Sequence, residues 1–256
     1  MIVTLGGYTA YFDASKPKTR MMVAGFVSTL AEWAQFEIAW RLILAKHDVP
    51  YFHMKEFNAH QGAFRHPKWQ SNHYRNGFMD ELITCVLGWT AACIGSGMRQ
   101  ELFDEYNVKY ELDKRFNAYA ICGRDCAAQV RSYIRKEINS DLPIAFIFDR
   151  GDEGQGFLKA EMEASELPSP AFKRSRPDPK LDIDDPYHVQ LQACDLAAWE
   201  LQRGVKDAEA GKKDGGLRTS LRRLAAMKHI WKETKESDLQ GLIQVAGIRE
   251  REKPRC

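Results

Sequence analysis

Short apolar runs alternate with stretches of helical spacing along most of the chain. Residues 9–12 read as a strand that ends at Asp13, and residues 21–27 as a second strand after the turn at 15–18, which together make an N-terminal β-hairpin. Trp33, Phe36, Trp40, Ile43 and Leu44 recur at i, i+3, i+4 and i+7, so residues 31–47 form an amphipathic helix that Pro50 closes. A polar, histidine-rich loop is expected over 53–73, a helix over 74–87 and a strand over 90–98. Phe116, Tyr119, Ile121 and Val130 mark a long helix over 115–138. Residues 143–148 are a continuous apolar run suited to a central strand buried on both faces, and the run stops at Asp149. A helix over 155–165, a proline-broken stretch over 168–186, a helix over 188–202 and a basic helix over 217–231 complete the pattern. The alternation predicts an α/β fold in one domain, with a core at about 8–205 and a basic helical C-terminal extension at about 206–256.

Composition changes this picture little. The chain has 256 residues, 44% of them hydrophobic and 28% charged, which is ordinary for a globular protein. It starts without a basic n-region followed by a long apolar stretch, and it contains no run of about 18 apolar residues, so a cytoplasmic protein with no membrane partner is expected. Six cysteines without a CxxC pair fit reduced, structural thiols. Cys122 and Cys126 share a helical face, but two ligands do not make a zinc site. His53, His60, His66 and His73 lack the spacing of an imidazole metal site as well. The net charge of +2 does not by itself announce a nucleic-acid partner. Local clusters do more: Lys173, Arg174 and Arg176 in one segment, and Arg218, Arg222 and Arg223 in another, could follow a phosphate backbone, the plain alternative being solvated surface.

Three acids carry the candidate chemistry. Asp13 and Asp149 each follow an apolar strand, the end at which α/β sheets gather ligands, although an Asp there also forms turns and helix caps. Asp195 has Leu191, Ala198 and Trp199 as its helical neighbours, so its carboxylate lies on a face that otherwise reads as core. A carboxylate in that setting must be paired, protonated or bound to a cation. Gln192, one turn earlier, could orient it; a bond to backbone or to an arginine is the alternative. If the three acids converge, their oxygens suit Mg²⁺ or Mn²⁺, and a two-metal site that hydrolyses phosphodiesters is within reach.

At these residues the chain resembles a known family. The segments Tyr11-Phe12-Asp13-Ala14-Ser15, Val23-Ala24-Gly25, Phe52-His53-Met54-Lys55-Glu56-Phe57 and Leu191-Gln192-Ala193-Cys194-Asp195-Leu196 look like the bacterial domain-of-unknown-function family 3800. That family is placed in the RNase H-like superfamily, so the resemblance implies an RNase H-like mixed sheet with an N-terminal β-hairpin and helices on both faces. It further implies that Asp13, Asp149 and Asp195 face the metal and that Gln192 supports them. The family pattern has Glu directly after its first Asp, where this chain has Ala14, which puts catalysis in question. Glu56, Asp152 or Glu153 could replace the missing acid, with Glu56 preferred, and His53 is a candidate proton shuttle. The expected function is a divalent-metal-dependent nuclease acting on RNA or DNA. The alternatives are a catalytically impaired nucleic-acid- or protein-binding regulator and a phosphoryl hydrolase of small nucleotides. Oligomeric state is left open by the residues.

Overall fold

The computed structural model describes residues 6–15, 19–177, 187–211 and 219–251. In chain order its elements are β1 (Tyr8–Ser15), β2 (Arg20–Thr29), α1 (Leu30–Lys46), α2 (Met54–Ala59), α3 (Asn72–Trp89) and β3 (Ala92–Arg99). Then follow α4 (Gln100–Tyr110), α5 (Ala118–Lys136), β4 (Ile144–Asp149), α6 (Gln155–Ala164) and β5 (Ala171–Lys173). Helix α7 (Val189–Glu209), α8 (Thr219–Leu224), β6 (His229–Glu233) and α9 (Glu236–Val245) close the chain. The six strands form one mixed sheet in the order β5-β4-β1-β2-β3-β6. Strands β1, β2 and β3 pair antiparallel, whereas β4 on β1, β5 on β4 and β6 on β3 are parallel.

The hairpin of β1 and β2 is the middle of this sheet, and its side chains alternate between two cores. Ala10, Phe12, Val23 and Val27 join a layer built from α4, α5, α6 and α9. Tyr11, Ala24 and Phe26 join the layer of α1, α2, α3 and α7. This period of two is what a strand covered on both faces requires. Gly25 permits the close approach of the two strands, because a Cβ there would run into the Tyr11 carbonyl oxygen. Thr29 and Glu32 form a capping box that starts α1 directly out of β2. Among the described residues no helix is long and apolar enough to cross a membrane.

The structure departs from the sequence-based expectations in several places. The 53–73 segment is not a polar loop: it holds α2 and two short 3₁₀ turns, and Phe57, Phe64 and Trp69 bury themselves against Phe52 and Phe78. Strand β4 is interior but not central, and Ala145 on it is exposed. The expected basic helix over 217–231 shrinks to the six residues of α8. Trp231 instead lies on β6, where its ring covers Gly95 and Gly97 of β3. The segment expected as a helical extension therefore supplies the sixth strand of the sheet. Helix α4 was not expected, although Leu102, Phe103 and Tyr106 give it a buried face. The five described cysteines are buried free thiols, and Cys256 lies outside the described residues.

Candidate metal centre

Register alone brings two of the acids together. Phe12 of β1 is paired with Phe148 of β4 in a parallel ladder, so Asp13 and Asp149 follow side by side at the same end of adjacent strands. Alternation sends both to one face. Phe12 and Phe148 pack toward α5, while Tyr11 and Ile147 pack toward α7, and each Asp continues on the α7 side. Helix α7 runs along β1, with the Cys194 thiol donating to the Tyr11 carbonyl at 3.1 Å. Asp195 is the next residue. It accepts the backbone N–H of Met54, the first residue of α2, at 2.6 Å.

The electrostatics follow from this convergence. Burial pushes Asp13 well above the usual carboxylate range, and the charges of Asp195, Asp149 and Asp152 add to the shift. Its hydrogen bond comes from the neighbouring Ala14 N–H, at 2.7 Å. Burial, then Asp152, raises Asp149 to about 6, against hydrogen bonds from the Ser175 hydroxyl and the Arg150 N–H. Asp195 is raised by burial, less strongly because the Met54 N–H, His53 and Arg176 favour its charge. All three residues keep a sliver of surface open to solvent. Four carboxylates thus share one end of the sheet and repel one another.

The expected supporting residues act differently from one another. Gln192 does not orient Asp195 directly. Its Oε1 accepts from Trp40 Nε1 at 3.0 Å and from the Phe52 N–H at 2.9 Å, and its Nε2 donates to the Ser175 carbonyl at 2.7 Å. The fully buried amide is a clamp between the two segments that carry the Met54 N–H to Asp195 and the Ser175 hydroxyl to Asp149. Glu56 is close enough to raise Asp195, but it is engaged: it accepts from Arg176 Nη1 at 3.0 Å and from the Tyr51 hydroxyl at 2.9 Å. Asp152 adds to the shift of both Asp13 and Asp149, whereas Glu56 adds to that of Asp195. His53 sits at the start of α2 with Nδ1 3.2 Å from Arg176 Nη1.

Ala14 changes meaning in three dimensions. Its side chain packs against the α5 layer, away from the face on which Asp13 lies. A Glu at this position would therefore start from the wrong side of the strand to join the other acids.

The basic residues divide. Lys173 is the register partner of Asp149, and Arg174 and Arg176 line a cavity that also contains Asp149. Arg222 and Arg223 sit on α8 instead, where Arg223 donates to Asp80 and Thr84 of α3. Its guanidinium is used to hold two helices together. Arg218 lies outside the described residues. Sequence reasoning passed over Arg150 and Tyr51, which line the same cavity as Arg174. The position of Arg150 directly after the strand-ending Asp149 was the available signal.

The carboxylate oxygens are hard donors of the kind Mg²⁺ and Mn²⁺ prefer, and their mutual repulsion is what a divalent cation would relieve. In that respect they fit such an ion. The fit lies in chemistry and placement, not in preformed ligand spacing: among the described residues no three His, Cys, Asp or Glu side chains are grouped as ligands of a single ion. Compared with protein-family models, curated proteins and solved structures, the chain matches none of them.

Proposed function

We propose that the protein is a Mg²⁺- or Mn²⁺-dependent nuclease of the RNase H-like kind, hydrolysing phosphodiester bonds in RNA or DNA. The observation that carries this reading is the delivery of Asp13 and Asp149 by paired parallel strands to the face on which α7 presents Asp195, close enough for their charges to repel. The mixed sheet, with the antiparallel hairpin at its middle and a parallel strand bearing the second acid, agrees with the fold that the family resemblance implies. Fold alone does not assign activity, so the weight rests on the acids.

Asp13, Asp149 and Asp195, with Asp152 beside them, would hold the ion. A divalent cation there supplies charge neutralisation on the phosphate and a water-derived nucleophile at neutral pH. The chain does the remaining work. The Met54 N–H and the Ser175 hydroxyl fix Asp195 and Asp149 in orientation, and Gln192 keeps both donors in place. Arg174 and Arg176 bind phosphate oxygens next to Asp149. His53, whose Nδ1 lies 3.2 Å from Arg176 Nη1, is the candidate to carry a proton to the leaving oxygen.

The ground for a catalytically impaired binding protein was Ala14, and its side chain faces the other layer. Cleavage of labelled single-stranded, double-stranded and hybrid oligonucleotides with Mn²⁺ or Mg²⁺ tests the proposal. Asp13→Asn and Asp195→Asn are expected to lose about 100-fold or more in rate, as removal of a charge-stabilising group does. Equal rates in wild type and variants would end the assignment at this site.

A further inference from the structure

Helix α1 is apolar on the side it buries and also on the side it shows. Trp33, Phe36, Trp40 and Leu44 face the core. Ala31, Ala34, Ile38, Leu42 and Ala45 are exposed, and their spacings of three, four, four and three residues put them on one outer face. Ile38 is 55% and Leu42 65% exposed, so both project from the surface. Beside them, between α1 and α3, Ala39, Leu42, Ile43, Cys85, Gly88 and Trp89 line a cavity of about 700 Å³. A helix at a protein surface turns polar residues outward, whereas one that is apolar on opposite sides is covered on both.

Charge narrows the occupant. Around this face Lys46 pairs with Glu81 at 2.9 Å, Arg41 with Glu37 at 2.8 Å and Arg223 with Asp80. These charges already have partners within the chain, so the face suits apolar side chains better than a nucleic acid or a charged peptide. The order of large and small residues narrows it again, because the exposed positions are spaced symmetrically about Ile38. A second copy running antiparallel about a two-fold axis at Ile38 places Leu42 of each copy level with Ala34 of the other, and Ala45 level with Ala31. Each Leu42 thus meets a small residue, which lets the two helices pack closely. The area suffices as well. The 17 residues of α1 span about 25 Å. With α3 alongside at about 10 Å, the face is about 20 Å wide. Two copies would then cover about 1,000 Å², the lower limit of a specific interface. We propose that the outer face of α1, with its groove against α3, joins two copies of this chain in a two-fold dimer of about micromolar affinity. The dimer does not depend on the nuclease reading.

Sedimentation velocity of the full chain, from about 1 to about 200 µM, tests it. Wild type is expected to pass from the 29.3 kDa of one chain toward twice that mass as concentration rises. Leu42→Arg and Ile38→Glu are each expected to weaken dimerisation about tenfold or more, since a charge would be buried where an apolar side chain sat. Both side chains are more than half exposed in the single chain, so the variants should melt like the wild-type monomer. Ala34→Leu, which sets two large residues level with each other, should weaken the dimer while leaving the single chain unchanged, and this reads the antiparallel register. Val108→Arg, at an exposed position of α4 on the other side of the sheet, should leave dimerisation as in wild type. A wild type that stays monomeric throughout would give the face to another partner and overturn the proposal. A dimer that survives Leu42→Arg and Ile38→Glu, or one that Val108→Arg weakens as much as they do, would overturn it too.

Discussion

The two faces of the sheet treat buried carboxylates in opposite ways. On the α5 face, Asp125 is 4% exposed and lies between two cations, Arg124 Nη2 at 2.7 Å and Lys232 Nζ at 2.8 Å. Arg124 continues to Glu161 of α6, so the two acids tie α5 to the edge strand β6 through Lys232 and to α6 through Arg124. On the α7 face, Asp13 accepts the Ala14 N–H, and the carboxylates of Asp195, Asp149 and Asp152 among the described residues add to the rise of its pKa. The first arrangement is a closed electrostatic circuit with a structural purpose. The second is a crowded one, in which the acids raise one another's pKa and a bound cation would relieve the repulsion. The contrast separates an acid that holds the fold from acids that the fold holds.

The largest expected effect lies on the structural side. Asp125→Ala leaves Arg124 and Lys232 without a shared partner and should cost about 3 kcal/mol, the low end for a broken buried pair because Lys232 reaches solvent. Urea denaturation measures this, and a midpoint unchanged from wild type would erase the distinction between the faces.

The next effect has the opposite sign. Asp149 keeps its proton up to about pH 6 in the fold but loses it near 3.8 when unfolded. Its contribution therefore favours the fold at acid pH and disappears as the pH rises through about 6. Without divalent metal, Asp149→Asn should be more stable than wild type at pH 7.5 by about 1–3 kcal/mol, with a flatter dependence across that window. Thermal melts at several pH values in EDTA check it; an Asn variant that follows the wild-type curve would show that Asp149 feels no strain.

The smallest effect is at Ala14. Because its side chain faces the α5 layer, Ala14→Glu should add nothing to Mn²⁺-dependent cleavage and lower stability by about 1 kcal/mol. A rise in cleavage would place that position among the acids after all.

Much of this organisation was legible in the residues. The apolar runs ending at Asp13 and Asp149 gave both strands, and the apolar neighbours of Asp195 gave the helix that opposes them. Parallel register could not be read, because it depends on how α5 carries the chain across the sheet to β4. The aromatic residues of 53–73 went unread because Phe57, Phe64 and Trp69 follow no single period, being spread over short turns that only tertiary packing stabilises. Strand β6 was hidden inside a basic stretch, where Ile230 and Trp231 are too few to mark a strand without the β3 edge to pair with. Gln192 was recognised as a partner for Asp195, but its three hydrogen bonds go to groups far away in sequence.

Calorimetric titration of Mn²⁺ into wild type, Asp13→Asn and Asp125→Asn tests most directly whether the α7 face is a metal centre. The account predicts binding by wild type, a loss of about tenfold or more in affinity for Asp13→Asn, and wild-type affinity in Asp125→Asn wherever that variant remains folded. Equal Mn²⁺ affinity in wild type and Asp13→Asn, or no binding by wild type, would contradict it.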